Sequence, residues 1–435
     1  MPVHYSRLLT LLILLLLLSP TAVQSQDINP DEIPPPADLV SEGEWDIVNI
    51  LLMGSDTTNP RNSGRTDALM LISVNPIAGS VSMLSIPRDL YVYIPGYRVY
   101  RINTALGYGE QTLGEGRGIE LLLETIRYNL GVEVDFWARV DFNGFRQIVD
   151  DLGGIEIAVD CAIQDWRLID PSLDPQMEES WEMFTLPVGM HTMNGDLALW
   201  YARSRRTSSD LDRGRRQQAL VRAIWRRIAA LNLFEQVRDF YPQLLDIVDT
   251  NMSVEDALRF MPLVSGIDPS RMSSYTMQSG REFRSWRSPE GSSVLAPLRE
   301  GIAALIADIY RPPTESQIVR ESSSIEVVNA TGLRGMDRVA ADRLSWEGFN
   351  PSVGPAAPRY QNYTVIYDYT GQAKGSSLAR LQSILRVGDD SVIVQPDPQR
   401  EVDFRVILGG SYYSCTHAVA PPQPPTEEAA DDEAS

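Results

Sequence analysis

The chain has 435 residues, 43% of them hydrophobic and 22% charged, which is enough to bury a core in two or three domains. A formal net charge of −20 argues against a general binder of nucleic acid or anionic membrane, because nothing would offset long-range repulsion from a polyphosphate, and any anion site must be local. With His4, His191 and His417 the only histidines, Cys161 and Cys415 the only cysteines and Lys374 the sole lysine, a zinc centre and a His-dependent triad have little support and a phosphate-loop lysine is absent. A metal would have to be held by oxygen, which points to magnesium or manganese.

Residues 1–25 open with His4 and Arg7 ahead of a leucine-rich run at 8–18, followed by Ser19-Pro20 and a small residue at Ser25. This reads as an export signal, either a cleaved signal peptide or an N-terminal anchor, with the remainder outside the cytoplasm. Residues 26–46 form an acidic spacer centred on Pro34-Pro35-Pro36. Residues 47–53 (IVNILLM) predict a buried strand ending at Gly54-Ser55-Asp56. Two more strands, 68–74 and 80–86, flank Asn75-Pro76-Ile77-Ala78-Gly79, which has hairpin composition. If Asn75 pairs with Ser80, Asp67 falls opposite Arg88, and a first strand parallel to the third brings Asp56 to the same edge. Two carboxylates beside Arg65, Arg88 and Asp89 suit a hard divalent cation and a bound phosphate. An edge network of ordinary salt bridges is the equal alternative.

Residues 90–100 continue extended, and 101–104 lead into a glycine-rich loop ending near Gly118. A helix at 119–130 stops at Gly131, and a strand at 134–140, a helix at 142–152 and a strand at 155–159 give a β-then-α alternation, hence a sheet covered by helices. Residues 162–182 read as an irregular insertion and 195–201 as a helix delivering an arginine-rich stretch at 202–227. There Arg213 and Gln217 share a helix face with Asp210 one turn earlier, and Arg203 and Arg205, two apart in an extended segment, point the same way. Paired guanidinium groups grip phosphate oxygens bidentately, so a pyrophosphate is the natural ligand. Arg222, Arg226 and Arg227 are assigned instead to solvent or to the protein's own acids. The first domain spans 47–311, a linker 312–323, a small βαβαβ domain 324–411 and a disordered Pro-rich acidic tail 412–435. Cys161 and Cys415 are either one disulfide or two buried thiols.

The motifs GSD at 54–56, RTD at 65–67, SIPRD at 85–89, RIN at 101–103, VDFNGF at 140–145, LGGI at 152–155, YARSR at 201–205 and the Asp210, Arg213, Arg216, Gln217 spacing occur in this order. Together they resemble the LytR-CpsA-Psr (LCP) family of cell-envelope proteins, and IEVVN at 325–329 followed by Ala330-Thr331-Gly332 resembles the LytR C-terminal domain. The resemblance implies an α/β fold with a central mixed β-sheet flanked by helices. It also implies an exported, membrane-proximal phosphotransferase that moves a glycopolymer from a polyprenyl-pyrophosphate carrier to peptidoglycan with Mg2+. On the same basis Asp56 and Asp67 are the metal or diphosphate acids, and Arg65, Arg88, Arg203, Arg205 and Arg213 the diphosphate-gripping arginines. Asp210 and Gln217 support them, and Asp89 or Asp67 accepts a hydroxyl proton. Two departures from the family pattern are Ser208, where many members carry an acid, and Asp212, where glycine is usual. The helix at 119–130 is a candidate wall for the polyprenyl chain, although core packing explains its leucines without a ligand. Rival readings are a polyprenyl-pyrophosphate hydrolase and a non-catalytic wall- or lipid-binding protein, while a transcriptional role conflicts with the export signal and the net acidity.

Overall fold

The computed structural model describes residues 32–55, 66–170, 172–371 and 376–415, so the export signal, Asp56, Arg65 and most of the acidic tail lie outside the described residues. The central sheet orders its strands Val248–Thr250, Phe136–Val140, Val48–Ser55, Thr66–Asn75, Ser80–Ser85 and Met272–Thr276. Both faces are covered by helices, as the β-then-α alternation implies. Leu51 and Met53 enter one core with Leu122, Ile126 and Ile306, whereas Ile50 and Leu52 face Met83, Val221 and Trp225 in another. The expected hairpin register is present, with Asn75 opposite Ser80. Thr66–Asn75 is antiparallel to both neighbours, and Phe136–Val140 and Met272–Thr276 pair in parallel with Val48–Ser55 and Ser80–Ser85. Four strands therefore release their carboxyl ends at one edge, where Thr66–Asn75 begins; ligands of open α/β sheets bind at such edges.

Three segments differ from the sequence expectation. The glycine-rich loop is mostly the helix Ala105–Thr112, which crosses the start of Arg117–Leu130 so closely that a Cβ on Gly118 would lie 2.4 Å from the Leu106 carbonyl oxygen. The glycines there permit helix contact and do not mark a flexible rim. Gly118→Ala should therefore force the two helices apart and cost about 1–3 kcal/mol, read as a lowered urea midpoint. The irregular insertion holds an antiparallel hairpin, Ile163–Leu168 with Trp181–Leu186. The linker is largely the helix Glu315–Ser322, opened by a reciprocal capping box between Thr314 and Gln317, a signal that Pro312-Pro313 obscured.

The C-terminal domain is a five-stranded sheet in the order Asn350–Val353, Ser324–Asn329, Phe404–Leu408, Val365–Asp368 and Val392–Val394, with the helices Met336–Trp346 and Ser376–Leu385 packed on it. Sequence missed its two edge strands because they are short and largely exposed, with no alternating apolar face. Cys161 and Cys415 form a disulfide that joins this domain to the first, and Ser414 Oγ donates to the Asp160 carbonyl at 2.7 Å beside it. Arg338 Nη2 adds an ion pair to Glu156 Oε2 at 2.6 Å, and a further part of the contact runs along the helix Asp210–Ala230. Arg226 Nη1 bonds Asp342 Oδ1 at 2.6 Å, Trp346 Nε1 donates to Asp342 Oδ2 at 3.0 Å, and the Arg222 guanidinium lies 4.5 Å from the Trp346 ring centroid. Arg226 thus pairs with the protein's own acid, as expected, and Arg227 Nε donates to the Leu152 carbonyl at 2.8 Å. Arg222 is a correction, being 1% exposed and therefore no part of a solvated face. Asp342→Ala should strip two donors of their acceptor and cost about 1–2 kcal/mol, less than a fully buried pair because Arg226 is partly solvated; urea denaturation reads it. Among the described residues, no helix is long and apolar enough to cross a membrane.

Candidate active site

At the carboxyl edge of the sheet the hairpin ladder runs one step past the strands, through Ile86 N to Leu69 O at 2.9 Å, which brings Asp67 and Arg88 together. Arg88 Nη1 donates to Asp67 Oδ1 at 2.6 Å. Arg88 Nε is buried and makes no hydrogen bond, although Asp89 Oδ2 lies 3.5 Å and Asp210 Oδ2 4.0 Å away. An unspent guanidinium N–H beside a cleft is a donor awaiting an oxygen. The helix Asp210–Ala230 begins at this point, with Ser209 and Asp212 forming a capping box. Its first residue, Asp210, sits between three arginines: Arg213 Nη1 at 3.3 Å, Arg205 Nη1 at 3.9 Å and Arg88 Nε at 4.0 Å. Burial, offset in part by Asp210 and reinforced by Arg88 and Arg205, pushes the Arg213 pKa down. Burial also opposes the charge on Arg88, but the hydrogen bond and attraction of Asp67, with Asp89 and Asp210 behind it, leave its pKa raised. Three arginines thus converge on Asp210, with Asp67 and Asp89 engaging only Arg88 among them, and a helix N-terminus adds its partial positive charge at the same point.

A cavity of about 640 Å³ adjoins this cluster and is lined by Asp67, Arg203, Arg205, Arg213 and Gln217 at one side, while Arg88 and Asp210 line a smaller cleft that shares Asp67, Arg213 and Gln217 with it. Apolar side chains make up much of the remainder, among them Phe142, Phe145, Leu168, Trp181 and Trp200. Its walls are the sheet edge, the helices Phe142–Asp151 and Gly195–Arg203, and the hairpin Ile163–Leu168 with Trp181–Leu186. Arg203 lies 4.4 Å from the Phe142 ring centroid, and Gln217 Nε2 donates to the Ala202 carbonyl at 3.3 Å. Beneath them Arg216, 6% exposed, ties the loop to the helix: Nε donates to Tyr201 O at 2.9 Å, Nη1 to Ser208 Oγ at 2.8 Å, and Nη2 to Ser204 O. Arg216 is thus committed to two backbone carbonyls and the Ser208 hydroxyl.

The structure brings together Asp67, Arg88, Arg203, Arg205, Asp210, Arg213 and Gln217, while Asp56 and Arg65 lie outside the described residues. Arg203 and Arg205 reach the cavity by a different route from strand alternation. Arg203 is the last residue of Gly195–Arg203, and Arg205 opens the next turn, its carbonyl accepting from Ser208 N at 3.2 Å and its own N–H donating to Asp165 Oδ2 at 2.8 Å. Asp89 is held by Arg101 Nε at 3.1 Å and does not line the cavity. The helix Arg117–Leu130 is not a wall of it either; Leu121, Leu122, Ile126 and Leu130 are buried in the main core. The wall that sequence reasoning missed is the Trp166-bearing hairpin, for which the apolar and aromatic residues inside 163–168 and 181–186 were the available signal.

Comparison with known proteins settles the ancestry of this edge. The LytR_cpsA_psr family profile matches residues 21–302, and the profile described as LytR cell envelope-related transcriptional attenuator matches residues 322–412. The chain belongs to the LytR-CpsA-Psr family. Among LCP relatives, the polyisoprenyl-teichoic acid–peptidoglycan teichoic acid transferase TagT of Bacillus subtilis is 28% identical over 226 residues, covering 51% of this chain and 65% of TagT. TagU of Oceanobacillus iheyensis, named for the same transferase activity, is 30% identical over 238 residues, covering 54% of this chain and 67% of TagU. The chain thus spans about two thirds of the length of these relatives. A solved LCP structure, TagT bound to LIIa-WTA, is 24% identical with a TM-score of 0.47, covering 65% of this chain and 98% of that one. The two departures from the LCP pattern have structural uses here: Ser208 accepts from Arg216, and Asp212 completes the cap of the arginine helix.

Proposed function

We propose that this protein is an extracytoplasmic phosphotransferase that moves a glycopolymer from a polyprenyl-pyrophosphate carrier to peptidoglycan. The observation carrying the reading is the crowding of Arg88, Arg205 and Arg213 around one carboxylate at the mouth of a largely apolar cavity. A polyprenyl diphosphate has this division of chemistry, with a doubly phosphorylated head for the arginines and a long apolar tail for the cavity. The names of the relatives support the same substrate class.

In this mechanism the diphosphate displaces Asp210 from part of its arginine contacts, and Arg88 Nε meets its first full acceptor. A hydroxyl of the wall acceptor attacks the phosphorus attached to the glycan. A new P–O bond forms, the bond to the lipid-linked phosphate breaks, and polyprenyl phosphate leaves with the electron pair. Arg88 and Arg213 neutralise the charge that shifts onto the leaving phosphate. Of the two candidates for the hydroxyl proton this reading takes Asp67, through the oxygen that Arg88 does not hold, because Asp67 lines the cavity and Asp89 does not. Positioning supplies most of the acceleration.

Among the described residues no group of three or more acids or other metal-binding side chains gathers at a point. Asp67 and Asp210, both within reach of Arg88, still offer hard carboxylate oxygens, and magnesium needs only one or two of these beside substrate phosphates. The residues therefore fit magnesium, held by Asp67 with Asp56 outside the described residues; manganese is the alternative. Bound there it would neutralise phosphate oxygens. Placement at the outer face of the membrane goes with a peptidoglycan acceptor, and the disulfide between Cys161 and Cys415 suits an oxidising compartment.

Incubation with lipid-linked glycan, stripped peptidoglycan and Mg2+ should yield glycan covalently attached to the wall, and EDTA should abolish the yield until Mg2+ is restored. Release of free phosphorylated glycan without conjugate would instead establish a hydrolase, and no turnover of the donor would establish a binding protein.

A further inference from the structure

The helix Met336–Trp346 of the C-terminal domain carries Arg338, Asp342 and Trp346 at intervals of four, which places them along one face. Arg338 Nη2 meets Glu156 Oε2 at 2.6 Å, Asp342 Oδ1 accepts from Arg226 Nη1 at 2.6 Å, and the Trp346 ring centroid lies 4.5 Å from the Arg222 guanidinium. One helix therefore holds two different elements of the first domain. Arg222 and Arg226 belong to the arginine helix Asp210–Ala230, whereas Glu156 belongs to the strand Ile155–Val159, which pairs antiparallel with Gly189–Met193. At the start of the C-terminal helix, a Cβ on Gly335 would lie 3.6 Å from Met190 Cγ. Register sets Thr192 opposite Glu156 and Met190 opposite Ala158, so this face of the strand pair meets the C-terminal domain while Ile155, Ile157 and Met193 enter the core.

That strand pair is the base of the cavity hairpin. Ile155–Val159 runs through Asp160-Cys161-Ala162 into Ile163–Leu168, and Trp181–Leu186 runs through Pro187-Val188 into Gly189–Met193. Both strands that wall the cavity are thus continuous with the two that the C-terminal helix grips, and Gly189–Met193 leads on into Gly195–Arg203, a further wall. The phosphate side is anchored elsewhere. Gln218, fully buried, donates from Nε2 to Tyr275 O at 2.8 Å and Met83 O at 3.2 Å, and Ser85 Oγ donates to Gly214 O at 3.2 Å, so the site end of the arginine helix is pinned to the central sheet. A change at the C-terminal helix therefore bears on the cavity wall before it bears on Arg88 and Arg213. The base strand also packs in one core with Leu220 and Ala223 of the arginine helix, so the outer grip sets the angle of the hairpin and not its presence.

We propose that Arg338 and Asp342 are positioning residues for the apolar tail of the donor: by spanning the base of the hairpin and the arginine helix, they fix how far the cavity stands open. The inference rests on the cavity receiving a prenyl chain, as argued above, but its test does not require turnover. Two probes, geranylgeranyl diphosphate and inorganic pyrophosphate, are titrated with Mg2+ into full-length protein by calorimetry. Wild-type protein binds the prenylated probe more tightly. Arg338→Glu, which sets two like charges against each other, weakens the prenylated probe by about three- to fivefold and leaves pyrophosphate within about twofold. Glu156→Arg added to Arg338→Glu restores the pair in reverse and most of the affinity. The two side chains are 46% and 56% exposed, so both variants fold, and the same charge change at the exposed Arg359, Arg359→Glu, binds as wild type. Arg338→Glu with Asp342→Ala weakens the prenylated probe more than either change alone.

Unchanged affinity of Arg338→Glu for the prenylated probe, equal weakening of both probes, or failure of the reversed pair to recover binding overturns this inference alone. Tail-dependent binding by wild-type protein that forms no wall conjugate from lipid-linked donor overturns the functional reading alone. Wild-type protein that gains no affinity from the prenyl chain overturns both.

Discussion

Arg88→Ala is expected to lower kcat for formation of the wall conjugate by about 10²–10³, the effect of removing one preorganised donor from a developing phosphate charge. Arg88 faces all three carboxylates of the cluster: its Nη1 holds Asp67 at 2.6 Å and its Nε faces Asp89 and Asp210 without a hydrogen bond. Its loss leaves Asp67 and Asp210 repelling the diphosphate as well as removing a donor to it. Arg88→Lys should recover little, because an ammonium cannot bridge Asp67 and a phosphate oxygen with a planar fork. The side chain is 21% exposed, so the fold should survive and the circular dichroism spectrum should not change. Initial rates with lipid-linked donor check this, with Arg117→Ala as control, since Arg117 pairs with Glu120 on the surface and lines neither cavity at the site. A rate for Arg88→Ala within about threefold of wild type would remove Arg88 from the machinery.

Cys415→Ser carries the second large effect. The disulfide joins residues 254 apart, and both sulfurs are shielded, with Cys161 2% and Cys415 6% exposed. Opening so long a loop should cost about 2–5 kcal/mol, mainly by restoring freedom to the unfolded chain. The bond fastens the C-terminal domain close to the root of the hairpin that walls the cavity, since Cys161 precedes Ile163–Leu168 by two residues. Calorimetry should show the loss as a lowered unfolding midpoint. The same fall should follow from reductant added to wild type, with no further fall when reductant is added to Cys415→Ser. A reductant-sensitive midpoint in the variant would mean that the stabilisation does not come from this bond.

Much of the site was legible because it is written in local patterns. The pairing of Asp67 with Arg88 followed from a five-residue turn and the period of a strand, and the shared face of Arg213 and Gln217 from the period of a helix. What failed was whatever depends on packing. Gly109 and Gly118 read as a loop because composition cannot distinguish a flexible glycine from one that lets two helices touch. The polyprenyl wall was sought in the leucine-rich helix Arg117–Leu130, which is core; the cavity instead recruits aromatic residues from a hairpin interrupted by Asp, Pro and Ser. Arg222 looked like surface charge until Trp346, from the other domain, was found over it. The cysteine pairing required distances that no spacing supplies.

The most direct test of the arginine cluster is a crystal structure of the protein with a polyprenyl diphosphate and Mg2+. The diphosphate should lie within hydrogen-bonding distance of Arg88 Nε and the Arg205 and Arg213 guanidiniums, with the prenyl chain running between Phe142, Trp181 and Trp200. A diphosphate bound elsewhere while Asp210 keeps all three arginines, or a prenyl chain outside the cavity, would contradict the account.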